Sequence, residues 1–420
     1  MGSHPLMPDD SHLLLERFAP CLRYDSLESY FADSAEVWTA NPQSRLRRMD
    51  GHAVPGPGEL SLAYLGPNYP DGAPAADQDC VESVRSDYTR QYRELREARQ
   101  DLRNVIYGRA VAQGGALWLQ YWFFYFLNDY QLAWGIDVHE GDWEMIQLRV
   151  PGASSEPDLA VYAQHTFCEA RAWEDVHRLA QEPQAEGSEP RAGDRDRPLV
   201  YVGRGSHASF FEPGFHETDF YDVTDGRQRP QRALRLEDVT QTPRWLDWPG
   251  HWGGGSTGYA GPSAPCQHQQ WYDPASLITT ARQHETTEPP DAPRLRVRRR
   301  RGALAVDFDG SHAKRALKRL TVTVNSADEP LTPPLPLRFA VSEVEAGSLR
   351  TRVALAPEKH YDIRVAVVDL DDRPTAAEVV LVAPAHWWLK LRRRVSGSVG
   401  RFVYGMRRGL GSDRARRSDS

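Results

Sequence analysis

Between residues 117 and 127 almost every side chain is apolar or aromatic (LWLQYWFFYFL). The run is about half of the ~20 apolar residues a membrane-spanning helix needs. It predicts a strand buried on both faces, in the middle of a two-layer β structure. From residue 141 to 150 the pattern becomes alternating. Asp142, Glu144, Ile146, Leu148 and Val150 fall on one face, and Trp143, Met145, Gln147 and Arg149 on the other. Asp142 and Glu144 are therefore expected side by side at the start of a strand. His139 is expected in the preceding turn, with Gly141 permitting a close approach. Gln113-Gly114-Gly115, between two strand-like runs, predicts a hairpin. Residues 158–167 alternate as a further strand that carries His165 near its end. Residues 198–211 predict a strand and then a glycine-rich turn presenting Ser206 and His207. Residues 81–103 are heavily charged, with Tyr88, Tyr92, Leu95 and Leu102 at roughly helical spacing, and predict an exposed helix covering the sheet.

Beyond residue 293 the pattern is one of short β-type runs at regular spacing, which predicts a small Ig- or fibronectin-like sandwich. The expected organisation is a disordered start (1–14), a β-sandwich domain (15–279), a linker (280–293) around EPPDAP, the small sandwich (294–384) and a basic, aromatic tail (385–420). The fold class is mainly β. The run Arg298 to Arg301 reads as a charged edge strand that discourages aggregation. In the tail, Trp387 and Trp388 stand beside Lys390, Arg392, Arg393 and Arg394. Aromatics among cations suit an anionic membrane surface, where each basic residue contributes about 1 kcal/mol. A basic tail whose tryptophans pack on their own domain is the other reading.

Composition narrows the picture. The 420 residues carry 51 Lys and Arg against 58 Asp and Glu, a net charge of −7, which argues against nucleic-acid binding as the main role. Four cysteines without C-x-x-C spacing point to a reducing, cytoplasmic setting, with the tail as the means of peripheral membrane attachment. The opening MGSHPLMPDDSH has no basic segment followed by an apolar one, so no signal peptide is expected.

The chemistry concentrates in HEGDWE (139–144). Two adjacent carboxylates beside an apolar face need compensation by a cation, an arginine or a shared proton. His139, Asp142 and Glu144, joined by His165 and His207 if the strand ends converge, form a mixed nitrogen and oxygen set that suits Mg, Ca, Mn or Zn. A strand-end carboxylate pair satisfied by backbone N–H groups and arginines is the alternative. A bound cation would serve either to hold a lipid or glycan head group or to activate water, with Glu140 or His207 carrying the proton. Ser206 is a poor nucleophile candidate, because it lacks the G-x-S-x-G turn and its neighbour His207 is expected to point away. Trp248, Trp252 and Trp271 with Tyr272 offer an aromatic platform for a sugar ring, although core packing is the commoner use of such residues.

FAPCLRYDSLESYF, LWLQYWFFYFLND, HEGDWEMIQLRV, YAQH, RGSHASFF and WPGHWGG occur in an order that resembles Vps62-like proteins (the vacuolar protein sorting-associated 62 family), over residues 15–274. HEGDWE is also similar to the heptapeptide GHRHDWE of the necrosis-inducing cytolysins. The resemblance to that family implies a β-sandwich with a divalent cation near a membrane-facing end. In it the His, Asp and Glu of an H-x-x-D-x-E spacing line the cation site, and His139, Asp142 and Glu144 match that spacing. The chain departs from the pattern at Glu140 and at Asp137-Val138, and Asp129 is the nearest counterpart of a further upstream Asp.

Overall fold

The computed structural model describes residues 8–282 apart from 26–27, 52–54, 57, 86, 131–136, 153, 182–191, 219–220, 227, 229–230, 232–233 and 255–259. It also describes Thr286–Thr287 and the backbone of seven strands between residues 294 and 382. Two compact units result. Met1–Val84, Gln91–Tyr130 and Gly135–Pro289 make the first, and the remainder the second.

The described elements of the first unit are α1 (Pro8–Arg17), β1 (Cys21–Tyr24), α2 (Glu36–Thr39), β2 (Ser44–Arg47), β3 (Cys80–Ser83), α3 (Tyr88–Ala98), β4 (Val105–Gln113), β5 (Ala116–Tyr130), β6 (Asp137–Pro151), β7 (Leu159–Gln164), β8 (Phe167–Ala172), β9 (Leu199–Val202), β10 (Ser209–Phe210), β11 (Gly214–Glu217), β12 (Tyr221–Thr224), β13 (Arg235–Asp238), α4 (Gln269–Tyr272), α5 (Pro274–Ile278) and β14 (Thr286–Thr287). Its centre is a six-stranded sheet in the order β13-β4-β5-β6-β7-β8, antiparallel except where β13 runs parallel to β4. The β4–β5 hairpin forms as the sequence predicts. Gln113 pairs with Ala116, and Gly114 and Gly115 take φ of +61° and +78°, as a tight two-residue turn between twisted strands requires.

The apolar run of β5 is buried because both faces of this sheet are covered. On one face Tyr121, Phe123 and Tyr125 of β5, Ile146 and Leu148 of β6 and Tyr162 of β7 pack against β1, β9 and the apolar side of α1. β1 and β9 run parallel in a second, three-stranded sheet with β10. On the other face Trp122, Phe124 and Trp143 meet Trp245, Trp252 and Trp271. Each large side chain fully removed from water contributes about 1.5–3 kcal/mol, so the two-sided aromatic layer is the main source of stability here.

Three expectations change. Residues 8–14 are not a disordered start: they belong to α1, whose Leu14 and Leu15 are buried. The helix expected over 81–103 is shorter, because Cys80–Ser83 pairs with β2 as β3. Nor is the helix wholly exposed. Tyr92 and Leu95, three residues apart on α3, are buried, Tyr92 packs on Phe126, and Arg96 pairs with the buried Asp33 at 2.8 Å. Residues read as linker also belong to the first unit. Arg282 donates its N–H to the Cys168 carbonyl at 2.9 Å, and β14 pairs with β11.

The second unit contains β15 (Arg294–Arg300), β16 (Ala303–Asp309), β17 (Leu317–Ser326), β18 (Leu335–Ala340), β19 (Ala346–Arg350), β20 (His360–Asp369) and β21 (Pro374–Val382). They form two antiparallel sheets, β15-β16-β19 and β18-β17-β20-β21. The three-plus-four division of short strands is that of a small Ig-like domain. The arginine-rich β15 is an edge strand, where charge guards against pairing with another chain. The tail, with Trp387, Trp388, Lys390, Arg392, Arg393 and Arg394, and residues 288–293 lie outside the described residues.

Candidate functional site

The site is built on a bulge in β6. From Val150 back to Asp142 the strand pairs one-to-one with β5, ending at Asp142 opposite Tyr125; beyond that, Gly141 and Glu140 both oppose Leu127. The register is the same on both sides, with Tyr125 opposite Asp142 and Asn128 opposite His139, so no residue is gained; the distortion is local, skips Phe126 in the ladder and re-aims the side chains around Gly141. Only glycine serves at position 141. Its φ is +62°, and a Cβ there would lie 2.0 Å from the Trp252 carbonyl oxygen. His139, expected in a turn, therefore sits within β6 on the far side of the bulge, and Asp142 and Glu144 lie inside the strand rather than at its start.

The bulge separates the acidic residues of the motif. Glu140 is fully buried, and its carboxylate accepts the backbone N–H groups of Ser83 at 3.1 Å and Gly254 at 2.7 Å. That places it in the Trp252 layer, so the expectation that Glu140 carries a proton in the same pocket as Asp142 is corrected. Asp142 turns to the other side. There the buried His207 donates from Nδ1 to Asp142 at 2.8 Å, and its ring lies flat on Tyr125, with centroids 3.9 Å apart and planes 4° from parallel.

His207 is held by the turn that follows β9. Its own N–H donates to the Gly203 carbonyl at 3.0 Å, and the Gly205 carbonyl accepts the Asp129 N–H at 2.8 Å, tying the turn to the end of β5. The Gly205 N–H donates to Glu28 at 2.7 Å, and a Glu28 oxygen stands 3.6 Å from His207 Nε2. His207 is thus flanked by two buried carboxylates. Burial works against its charge, but Glu28 and Asp142 outweigh burial and raise its pKa to about 9. Glu28 is lowered in return: burial opposes its charge, and His207 with the Tyr30 and Gly205 N–H groups overcomes that opposition.

His165 approaches from the turn between β7 and β8. It donates to Asp222 at 2.9 Å. Burial again disfavours its charge, and Asp222, then Glu144 and Asp142, raise its pKa to about 9. Asp222 also accepts the hydroxyls of Ser206 at 2.5 Å and Thr218 at 2.8 Å. Ser206 and His207 therefore point to different acids, as expected of neighbours along a chain, and they form no nucleophile–base pair. Glu144, half-buried, has its pKa raised well above the carboxylate range by burial and then by Asp142.

Of the five expected ligands, Asp142, Glu144, His165 and His207 come within electrostatic reach of one another. Asn104, His165 and His207 are the non-glycine residues with positive φ among the described residues, and two of the three lie in this cluster, at +54° and +56°. Backbone held in that region concentrates at functional sites. His139 stands apart from these groups. Its Nδ1–H donates to the Gly141 carbonyl at 2.7 Å, which fixes the tautomer that leaves Nε2 as an acceptor. Glu28 and Asp222 escaped the sequence reading. They come from distant segments without ligand-like spacing, although Glu28 lies within LESYF (27–31).

The donor chemistry suits a divalent ion, but the arrangement is not that of a formed metal site. Among the described residues no three His, Cys, Asp or Glu side chains are spaced to hold one. Trp248, Trp252 and Trp271 are buried and serve as core, whereas Tyr272 is 66% exposed. No helix among the described residues is long and apolar enough to cross a membrane.

No family model matches the chain. No curated protein matches it either, so the Vps62-like resemblance of its motifs gains no support. Several solved structures are similar at a distance. One is necrosis and ethylene inducing protein 2 from the causal agent of cocoa's witches' broom disease, 12% identical, covering 67% of this chain and 95% of that one, with a TM-score of 0.29. Another is NLPPya in complex with glucosamine, 12% identical over 67% and 95% of the two chains, with a TM-score of 0.30. The non-toxic HaNLP3 protein is 13% identical over 68% and 98%, with a TM-score of 0.29.

Proposed function

We propose that the chain is a binding protein whose Asp142–Glu144–His165–His207 cluster takes a divalent cation and through it a polar head group, of a lipid or a glycan, at a membrane surface. The observation that carries this reading is the convergence of four carboxylates (Glu28, Asp142, Glu144 and Asp222) on only two histidines, both held at positive φ. Carboxylate excess in a desolvated site favours a cation. Since the donors are not spaced around a common point and their acids favour the protonated form of both histidines, an ion has to draw Asp142 away from His207 and displace the histidine protons, so modest affinity that weakens as pH falls is expected. The membrane part of the reading is supported by the tail sequence, where Trp387, Trp388, Lys390, Arg392, Arg393 and Arg394 combine aromatic and basic groups.

The test is elemental analysis and thermal melting of the wild type beside Asp142→Asn, after separate soaking with calcium, magnesium, manganese and zinc. Retention of one ion by the wild type alone, with a ligand-dependent rise in Tm, is the expected result. No ion in the wild type under any of these conditions defeats the proposal.

A metal-assisted hydrolase is the second reading. It is favoured by one feature: burial and the neighbouring Asp142 raise the Glu144 pKa well above the usual carboxylate range, the direction that a general acid needs. In that role Glu144→Gln would abolish turnover of an ester or glycoside substrate, whereas a Glu144 that serves only the ion would show its loss in ion retention, with no turnover to lose.

A further inference from the structure

Across the central sheet from this cluster lies a second site of different chemistry. Gln120 of β5 is five residues before Tyr125, about 17 Å along a strand at about 3.3 Å per residue. Its amide donates to Gln147, on the face of β6 opposite Asp142, and to the Gln270 carbonyl just before Trp271. Beside it, a cavity of about 450 Å³ is lined by Arg109, Thr242, Arg244, Asp247, Trp271 and Tyr272, among others.

Two guanidinium groups line this cavity, and neither forms an ion pair among the described residues. The Arg109 group stacks over the Trp271 ring at 4.2 Å from its centroid and donates to the Trp271 carbonyl and to Gln120. Its partners are all neutral, and its Nε is buried without a hydrogen bond. Burial accordingly lowers its pKa below the usual arginine value, against the opposing effects of Tyr272 and Cys266. Arg244 is exposed and makes one long hydrogen bond, to the Ala63 carbonyl at 3.5 Å. Its side chain lies over Gly66, where a Cβ would come within 2.7 Å of it. A half-buried arginine without an anion carries an uncompensated desolvation cost, which an incoming anion relieves. The aromatic part is also explicit: Tyr272 is one of three large hydrophobic side chains left exposed among the described residues.

We propose that this cavity binds an acidic saccharide, its anionic group held by Arg109 and Arg244 and its ring against Tyr272. Asp247 and Thr242 supply hydroxyl-bonding partners at the same cavity, which a bare inorganic anion would not use. The ring face of a sugar is apolar enough to pack on an aromatic side chain, and its acid group fits the planar fork of arginine. The site does not depend on the cation cluster, which lies on the other face of the sheet.

The probes are galacturonate, glucose 6-phosphate and glucose, titrated into the full chain and followed by calorimetry and by tryptophan fluorescence. Saturable binding of galacturonate, of glucose 6-phosphate or of both, with glucose weaker, supports the proposal and tells whether a carboxylate or a phosphate is preferred. Arg244→Gln and Tyr272→Ala, both at exposed side chains, are each expected to weaken that binding by about tenfold or more, while Asp142→Asn leaves it unchanged. Arg109→Gln is expected to do the same as Arg244→Gln, provided its circular dichroism matches the wild type. The proposal is overturned if neither anion binds saturably, if glucose binds as tightly as the anions, or if Arg244→Gln and Tyr272→Ala leave affinity unaltered.

Discussion

His207 concentrates the electrostatics of the first unit in one ring. It is stacked on Tyr125, bonded to Asp142 and placed 3.6 Å from Glu28. With its pKa raised from 6.5 to about 9, as is that of His165, the folded chain keeps two protons that the unfolded chain releases. Below pH 6.5 both states are protonated and the full stabilisation is present. It is lost as pH rises through about 9. Glu144 acts in the same direction from lower pH, since folding raises its pKa above 4.5. Glu28 and Asp222 act oppositely. Their lowered pKa values give stability that is present above the unfolded values of 4.5 and 3.8 and lost as pH falls below them. The melting temperature, followed by circular dichroism with chelator present, is therefore expected to fall steadily between pH 6.5 and 9. The loss should be on the order of a few kcal/mol, and His207→Gln should flatten the slope. A wild-type melting temperature constant over that range would mean that the two histidines are not charged in the folded chain.

At the scale of the element, the β6 bulge decides which carboxylates meet. Gly141 makes it possible by combining a left-handed backbone with close approach to the Trp252 carbonyl. Gly141→Ala should destabilise the first unit by about 2 kcal/mol or more, from a left-handed penalty of roughly 1–2 kcal/mol plus the clash. Gly114→Ala is the control. It has a similar φ of +61° and open space around its Cβ, and should cost only about 1 kcal/mol. Denaturant melts of the two variants check the ordering, and equal losses would show that the contact with Trp252 contributes nothing. The same element shows what a sequence can and cannot reveal. The alternation that put Asp142 and Glu144 on one face was legible, because every second residue down to Val150 is apolar, and so was the β4–β5 hairpin. The bulge was not, because a glycine within HEGDWE looks the same in a turn and in a strand. The reversal that sends Glu140 to the opposite face follows from that one residue. Glu28 and Asp222 were illegible for another reason. Each reaches the cluster through tertiary packing, by way of the turn after β9 and the β11–β12 pair, and no local pattern marks such a partner.

For the whole molecule, the question is where the first unit ends. The sequence placed a linker from residue 280, because Pro, Glu and Asp accumulate there. The chain nevertheless continues to bond to the first unit through Arg282 and through β14, which pairs Thr286 and Thr287 with His216 and Phe215 of β11. β11 in turn pairs with β12, which carries Asp222, the acceptor for His165, Ser206 and Thr218. The last strand of the unit therefore supports the candidate site two strands away. A chain ended at residue 289 should keep the melting temperature and pH dependence of the first unit, since that unit holds its own core. A chain ended at residue 279 should melt several degrees lower, at about 2–4 °C for each kcal/mol lost from a unit of this size, and should lose part of the slope between pH 6.5 and 9 as Asp222 loosens its hold on His165. If the two truncations melt alike, β14 is dispensable, and the cluster is held in place by β5, β6 and the turn after β9 alone.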